Sequence, residues 1–376
     1  MDALATPASA FNHGGVSIHP CSVDEVAEAV RAYAQGCVLA RGGGTKPALS
    51  LAPQGVTSMD LRGLAGMVEY DPAEYTFTAL AGTRLSVVQA ELAKNGQYLP
   101  FDPPLARQGA TLGGTVAAGL SGPGRLRYGG VRDFIVGVQW VDGTGTVIRG
   151  GGKVVKNAAG FDFPKLFVGS LGRLGVMTEF TFKVFPAPAA RVTCAIECRD
   201  LADAVERLCF LCGQPWEVEA VELNAGAAAP RLLARFMGDE PALTARVQAI
   251  LTAMQRTGRI LSTEEAAAAW QRLDDLEFGA TGAPLVRVPL TPLRIPALEK
   301  ALAGTAAVRH YSMAGNLALI GGMVPAALDG ILKKESLQGL TLRGEGPLRP
   351  GANGSAVMEA KVKAAMDAGM RFPALL

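Results

Sequence analysis

The residues with the clearest chemical potential in this sequence are glycines, and they occur in blocks. The first block is the run Arg41-Gly42-Gly43-Gly44-Thr45-Lys46, which follows a short apolar strand predicted at 38–40. Three successive glycines allow positive φ and leave no side chains in the way. Such a turn can direct several N–H groups at one anion, and the Thr45 hydroxyl can add a contact. The run is compatible with a phosphate or pyrophosphate site, although taken alone an ordinary glycine turn is the simpler explanation.

Three further glycine blocks follow in the same half of the chain, at residues 109–124, 150–162 and 169–176. Small residues at this density let a large flat ligand lie against the backbone. Neither G-x-G-x-x-G nor G-x-x-x-x-G-K-[ST] occurs, so the Rossmann fingerprint and the P-loop are both excluded. If these blocks hold a dinucleotide, they do so by another architecture.

The elements that must position the blocks alternate between helix and strand. Residues 22–35 predict an amphipathic helix with Ser22 as its N-cap, because Asp24 and Glu25 fall in its first turn and apolar residues recur at helical spacing. The remaining pattern predicts a helix at 84–95 and strands at 57–60, 75–80, 134–141 and 175–185. Strands joined by glycine loops among helices predict a mixed α/β structure for this half.

The second half of the chain differs in composition. Residues 105–175 hold 18 of the 46 glycines, whereas residues 191–340 hold only 12. The boundary is predicted at Phe185-Pro-Ala-Pro188, where two prolines end the last strand of the first half. Helices are predicted beyond it at 201–211, 241–256, 263–276 and 295–302, and strands at 217–223, 232–236, 285–290 and 317–320. This order is typical of an α+β domain.

Bulk composition excludes several classes of protein. The chain has 376 residues, which suits two domains, and 49% of them are hydrophobic, so cores can form. The net charge is +2 and no dense basic block occurs, which argues against nucleic acid as a partner. The charge-free stretch 311–328 contains glycines and Pro325, and therefore predicts a buried strand, a turn and a helix start rather than a membrane span. The first 20 residues do not resemble a signal peptide, so a soluble cytoplasmic protein is expected.

Six cysteines raise the question of a metal or redox site. Cys209 and Cys212 form a CxxC at the apolar end of a predicted helix, while Cys194 and Cys198 fall on a predicted strand. A structural zinc site usually needs two similarly spaced ligand pairs on loops. Buried free thiols are therefore the preferred interpretation, and no metal is expected.

Taken in order, the glycine blocks resemble the FAD domain of the vanillyl-alcohol oxidase and D-lactate dehydrogenase superfamily, known as the PCMH-type FAD fold. The resemblance covers about residues 15–188, and within the superfamily the chain is most similar to the smaller FAD-binding subunit of glycolate oxidase, chiefly through residues 117–143. The matching segments are RGGGTK at 41–46, GATLGGTVAAG at 109–119, RYGGVRD at 127–133, VDGTG at 141–145, KNAAGFD at 156–162 and GSLGRLGV at 169–176.

The resemblance implies an α+β fold in which two α+β subdomains hold FAD (15–188), followed by a smaller α+β cap or substrate domain (189–345). Residues 346–376 would return to the FAD domain, although Asp367-Ala368 departs from the usual Asp-Pro. His13 and His19 are badly placed for a covalent link, so FAD is expected to be non-covalent. The implied FAD contacts are Gly42, Gly43, Gly44, Thr45, Gly109, Thr111, Gly113, Gly114, Ala118, Ser121, Gly122, Gly175 and Val176.

Oxidation of a 2-hydroxy acid requires a base for the hydroxyl proton, a cation for the carboxylate and a redox cofactor. Arg287, in an otherwise apolar predicted strand, is the candidate cation, and His310 is a weaker candidate base. The catalytic residues stay unassigned, and two functions stay open. The chain either oxidises glycolate or a similar small hydroxy acid itself, or binds FAD as an electron-transfer subunit. A lone oxidase of another small alcohol is a third, weaker alternative.

The resemblance also implies a complex. Its other members would be a larger FAD-binding glycolate oxidase subunit and an iron–sulfur subunit. The expected location is the cytoplasm, with any membrane association made through those partners and no direct membrane insertion.

Overall fold

The computed structural model describes residues 17–33, 36–152, 160–226, 229–239, 242–255 and 257–374. His13 and most of the segment KNAAGFD lie outside this part of the chain. Within it, the first half forms a parallel and an antiparallel sheet with a small strand pair, and the second half forms one large sheet. The α+β class expected from the sequence is confirmed.

A small parallel sheet carries the first glycine block. Its strand order is β1-β3-β2, and helix α1 is capped by Ser22, whose Oγ accepts a hydrogen bond from the Glu25 amide at 3.2 Å. The glycine run leaves the end of β2 and enters the short helix α2. The elements are β1 (Ser17–Ile18), α1 (Val23–Ala32), β2 (Cys37–Arg41), α2 (Pro47–Ser50) and β3 (Val56–Asp60).

A five-stranded antiparallel sheet of order β4-β5-β9-β7-β8 forms the second unit of the first half, accompanied by the pair β6 and β10. One helix lies inside the second glycine block, where the sequence had suggested only a loop. The elements are β4 (Met67–Asp71), β5 (Thr76–Leu80), α3 (Leu85–Ala93), β6 (Gln97–Tyr98), α4 (Leu112–Ala118), α5 (Arg125–Tyr128), α6 (Val131–Phe134), β7 (Ile135–Val141), β8 (Val147–Gly151), α7 (Phe163–Phe167), β9 (Val176–Lys183) and β10 (Phe185–Pro186).

The second half builds an eight-stranded antiparallel sheet, called here the cap sheet, in the order β14-β11-β13-β12-β16-β17-β15-β18. Its elements are β11 (Ala190–Glu197), α8 (Leu201–Gly213), β12 (Val218–Asn224), β13 (Arg231–Gly238), α9 (Ala242–Met254), β14 (Gly258–Ile260), α10 (Thr263–Asp274), β15 (Leu285–Pro289), α11 (Ile295–Ala301), β16 (Val308–Ser312), β17 (Leu317–Gly321), α12 (Pro325–Lys334), β18 (Leu340–Arg343) and α13 (Ala356–Met366).

The two faces of the cap sheet belong to different cores. Val286, Val288 and Ile320 pack in one cluster with buried residues of α8, α9, α11 and α12. Leu285 and Leu319 point the opposite way and join the core of the first half. Because successive strand residues alternate between faces, Arg287 lies on the same side as Leu285 and faces the first half. The apolar pattern of β15, interrupted by one arginine, is thus explained by a buried interface.

The predicted elements of both halves form with boundaries shifted by a few residues, and 311–328 contains β17 and the start of α12 as expected. No helix within the described ranges is long and apolar enough to cross a membrane.

The cysteine prediction is correct for one pair only. Cys194 and Cys198 are buried, but Cys209 and Cys212 are exposed on α8, because the helix turns Leu208 and Leu211 toward the core instead. All six cysteines are free thiols. The described residues contain no group of three or more histidine, cysteine or acidic side chains that could hold a metal.

The C-terminal segment packs on the first half despite the Asp367-Ala368 departure. The Val38 amide donates to the Arg371 carbonyl at 2.8 Å, and the Arg371 Nη1 donates to the Tyr33 carbonyl at 2.7 Å. Asp367 is 2% exposed and ties the turn together, because its carboxylate accepts hydrogen bonds from Lys363 Nζ and from the amides of Arg371 and Phe372.

Replacing Asp367 by alanine should lower the free energy of unfolding by about 3 kcal/mol, since two amides would lose their acceptor and the largely buried Lys363 ammonium would keep only the carbonyls of Arg173 and Phe372. Urea unfolding measures this. Glu91→Ala, which breaks only the surface pair with Lys94, is the control and should change stability by less than about 1 kcal/mol. Equal effects of the two substitutions would contradict the role assigned to Asp367.

Candidate functional site

The first glycine block forms one wall of a cleft of about 670 Å³, called here the glycine-loop cleft. The block leaves the parallel sheet and faces helix α4 of the antiparallel unit. Of the residues predicted to contact FAD, those lining this cleft are Gly42, Gly43, Gly44, Thr45, Thr111, Gly113, Gly114 and Ala118. Two glycine blocks separated by more than 60 positions therefore meet in one site.

The two walls are in close contact, through a side chain at Gly42 and through the backbone at Gly43. A Cβ added to Gly42 would lie 2.1 Å from the Thr111 Oγ1, and a Cβ added to Gly43 would lie 2.0 Å from the Gly109 carbonyl oxygen. Neither distance is compatible with a side chain. Gly44 differs, because its φ is +67° and an added Cβ would meet nothing within 4 Å. Gly42 and Gly43 are thus required by packing, and Gly44 by its left-handed turn.

Helix α4 begins at the cleft and is held against the other glycine blocks. Its N-cap Thr111 accepts a hydrogen bond from the Gly114 amide at 3.2 Å. At its other end, the Ala117 carbonyl accepts from the Leu171 amide at 2.9 Å, which brings the fourth glycine block into the site. Leu171 has a φ of 56°, a rare value for a residue with a branched side chain.

Lys46 supplies a positive charge to this cleft, although sequence reasoning had not nominated it. The side chain is 7% exposed, its Nζ lies 3.1 Å from the Thr45 Oγ1, and no carboxylate of the described residues binds it. Burial lowers the pKa of Lys46 to about 8. The only signal in the sequence was its position directly after the run of glycines and threonine.

A second cleft, of about 1220 Å³, lies between the first half and the cap sheet and is called here the interface cleft. It adjoins the glycine-loop cleft, because Ala118 and Leu171 line both. Its charged lining residues are Arg125, Arg132, Asp133, Arg287, Arg349 and Glu359. The surplus of arginines over carboxylates suits an anionic ligand.

Arg287 reaches this cleft from β15. Its Nη1 donates to the Gly119 carbonyl at 3.0 Å, which fixes the guanidinium at the end of α4. Its Nε is buried and has no hydrogen-bond partner in the part of the chain that the structure describes. Burial, together with the charge of Arg125, lowers the pKa of Arg287 to about 10. A carboxylate placed here would relieve both the missing bond and the repulsion between the two arginines.

His310 lies on the same face of the cap sheet but in a different cavity. In the strand register, Leu319 pairs with both Arg287 and His310 and therefore stands between them. The His310 Nε2 lies 2.7 Å from the Glu222 Oε2, and its ring packs on Phe278 at 5.1 Å between centroids. Glu222 also accepts from the Ser312 hydroxyl and the Met313 amide. The structure thus gives His310 a buried partner and does not bring it together with Arg287.

The remaining predicted FAD contacts serve packing or the second cleft. Ser121 lines the interface cleft, where its Oγ accepts from the Val131 amide at 2.9 Å. A Cβ on Gly122 would lie 2.3 Å from the Asp102 carbonyl, and one on Gly175 would lie 2.8 Å from the Trp140 ring. Val176 is fully buried in β9. Gly109, Gly122, Gly175 and Val176 line neither of the two clefts.

Comparison with known families identifies the first half. A family described as "FAD binding domain" matches residues 16–151. The glycolate oxidase subunit GlcE of Escherichia coli (strain K12) is 45% identical over 153 residues, which are 41% of this chain and 43% of that protein. The glycolate oxidase subunit GlcD of Bacillus subtilis (strain 168) is 32% identical over 180 residues, 47% of this chain and 38% of GlcD. The matches span less than half the length of these curated relatives.

Among solved structures, alkyldihydroxyacetonephosphate synthase in two crystal forms has TM-scores of 0.69 and 0.71. Sequence identity is 16% and 17%, and the superpositions cover 95% of this chain and 75% and 76% of those chains, so the fold is shared over nearly the whole molecule. Residues 16–151 therefore match an FAD-binding domain, and part of the chain is similar in sequence to glycolate oxidase subunits. The resemblance drawn from the glycine blocks is confirmed.

The residues present fit FAD. The buried ammonium of Lys46 has no carboxylate partner among the described residues, and the glycine-loop cleft offers three consecutive glycines, which leave room for a pyrophosphate. Gly44, Thr45 and Lys46 would hold the phosphates, with Gly113 and Gly114 opposite them. The adjoining interface cleft would take the flavin end.

Gly43→Ala should destabilise the FAD-free chain by about 1–3 kcal/mol, because its Cβ would collide with the Gly109 carbonyl rather than with a ligand. The free energy of unfolding in urea, measured without FAD, tests this. Gly36→Ala is the matched control, since a Cβ there meets nothing within 4 Å. If Gly43→Ala left the FAD-free chain as stable as the control and lost only FAD binding, the space beside Gly43 would belong to the ligand instead.

Proposed function

We propose that this chain is an FAD-binding subunit of a glycolate-type 2-hydroxy acid oxidoreductase. The observation that carries the proposal is the continuity of the glycine-loop cleft with an arginine-lined cleft at the cap sheet. The names of the relatives support the substrate class, since they include glycolate oxidase subunits, D-lactate dehydrogenases and D-2-hydroxyglutarate dehydrogenases. When bound, FAD supplies the two-electron acceptor that such an oxidation needs.

Arg287 is the residue that would hold the substrate carboxylate. Its Nη1 is tied to the Gly119 carbonyl, so the planar guanidinium is oriented before any ligand arrives. Its unpartnered Nε and the nearby Arg125 leave an uncompensated positive field in the cleft. A bidentate contact to a carboxylate would fix both the position and the orientation of a small hydroxy acid.

Both carboxylates in the described lining of the interface cleft already accept hydrogen bonds. Asp133 accepts a hydrogen bond from the Gly130 amide at 2.8 Å, and Glu359 accepts from Arg349 and from the Ser355 hydroxyl. His310 lies in the other cavity, bound to Glu222. This observation favours the second candidate function, in which the chain relays electrons and another subunit holds the group that removes the hydroxyl proton.

The proposal includes partners. The names GlcE and GlcD indicate that glycolate oxidases have several subunits. We infer that this chain assembles with a larger FAD-binding subunit and passes electrons to an iron–sulfur subunit. The complex would lie in the cytoplasm, and any attachment to a membrane would be made through those partners.

The direct test is anaerobic addition of glycolate to the purified FAD-loaded chain, followed by flavin absorbance. Bleaching by the chain alone is the expected result if the interface cleft is a complete substrate site. Bleaching only after the partner subunits are added would support the electron-transfer function. A loaded complex that no small 2-hydroxy acid bleaches would contradict both.

Arg287→Met should weaken glycolate binding about 10- to 100-fold, since a charge-assisted contact contributes about 1.5–3 kcal/mol. FAD content should stay unchanged. The measurement is the glycolate concentration at half-maximal bleaching in the complex that turns over. His310→Gln is the comparison and should leave that concentration nearly unchanged. A larger effect at His310 than at Arg287 would move the substrate site to the other cavity.

A further inference from the structure

Lys46 is a buried cation without a counter-ion. Its ammonium has one hydrogen-bond partner, the Thr45 hydroxyl at 3.1 Å, and it forms no ion pair with a described residue. A Cβ on Gly114 would lie 3.9 Å from the Nζ, so the ammonium sits across the glycine-loop cleft from the first turn of α4. A charge so placed is costly unless an anion joins it.

The described residues around the cleft offer no such anion. The only other charged residue in the described lining of the cleft is Arg41, which itself lies 3.9 Å from Asp60. Asp60 is also bound by Arg62 at 2.6 Å. Strand β18 packs against α2, and its Arg343 donates to the carbonyls of Ala283 and Leu276. Arg41, Arg62 and Arg343 thus each have a partner, whereas Lys46 has no carboxylate partner among the described residues.

We propose that Lys46 is the counter-ion of the FAD pyrophosphate and that its protonation makes FAD affinity depend on pH. The inference rests on the FAD-binding part of the proposed function and is independent of the substrate. In this proposal the Lys46 ammonium neutralises part of the negative charge of the pyrophosphate, whereas the glycines contribute only backbone N–H groups.

The direction of the pH effect follows from linkage. Burial lowers the pKa of Lys46 to about 8 in the free chain, and a bound pyrophosphate would raise it. Below about pH 8, Lys46 is therefore mostly charged in both the FAD-free and the FAD-bound chain, and FAD affinity should be constant there. Above that pH, binding must take up a proton, so affinity should fall by up to about tenfold per pH unit until the bound-state pKa is reached.

The experiment is a titration of the FAD-free full chain with FAD, followed by flavin fluorescence from about pH 6.5 to about pH 9.5 at constant ionic strength. The wild-type Kd should be flat at low pH and rise above about pH 8. Lys46→Arg keeps a charge that does not titrate in this range, so its Kd should stay flat. Lys46→Met should bind FAD about tenfold or more weakly at neutral pH, again without pH dependence.

Two controls make the result specific. Riboflavin lacks the phosphates and should bind wild-type and Lys46→Met equally. Lys300→Met removes an exposed lysine outside the cleft and should match wild-type. Tight FAD binding with equal affinity in wild-type and Lys46→Met, flat with pH in both, would overturn the proposal while leaving the FAD site intact. Failure of the folded wild-type chain to bind FAD would overturn both.

Discussion

The close approach of two glycine segments is the constraint on which the site depends. Residues 42 and 43 belong to the parallel unit and residues 109–111 to the antiparallel unit, and no side chain fits where they meet. Gly82 makes a similar approach, since its Cβ would lie 1.9 Å from the Leu61 carbonyl. These contacts fix the two units relative to each other and leave the glycine-loop cleft between them. The same glycines that suggest a ligand site therefore also hold the protein together.

The two faces of the cap sheet have different surroundings, because successive strand residues point to opposite faces. Residues on one face pack under the helices of the second half, and residues on the other face the FAD-binding domain. Arg287, Leu319 and His310 share one cross-strand row, and the apolar Leu319 separates the two polar side chains. One of them consequently faces the cofactor side through the interface cleft, while the other is bound to Glu222 in a separate cavity. Among the described residues, this arrangement separates the candidate anion-binding arginine from the histidine, and we therefore propose that a partner subunit supplies the base.

The sequence predicted much of this structure, and the failures have physical causes. The spacing of apolar residues located the helices and strands because it follows which side chains are buried. In α1 one face of the helix is buried, and in β15 both faces of the strand are buried. The second glycine block was taken as a loop, but Thr111 caps a helix there. Hydrogen bonds with Ala81 and Leu171 stabilise this helix although glycine has a low helix propensity. Lys46 was missed because a lysine after a turn is usually solvated, and only the tertiary structure buries it. The separation of Arg287 from His310 depends on strand order, which no local pattern encodes.

The central claim is that FAD lies in the glycine-loop cleft with its flavin toward the cap sheet. A crystal structure of the chain reconstituted with FAD tests it most directly. The account predicts density for the pyrophosphate between the Gly44–Lys46 turn and the start of α4, with the ring system in the interface cleft near Arg287. Pyrophosphate density elsewhere, or a flavin in the cavity beside His310, would contradict it.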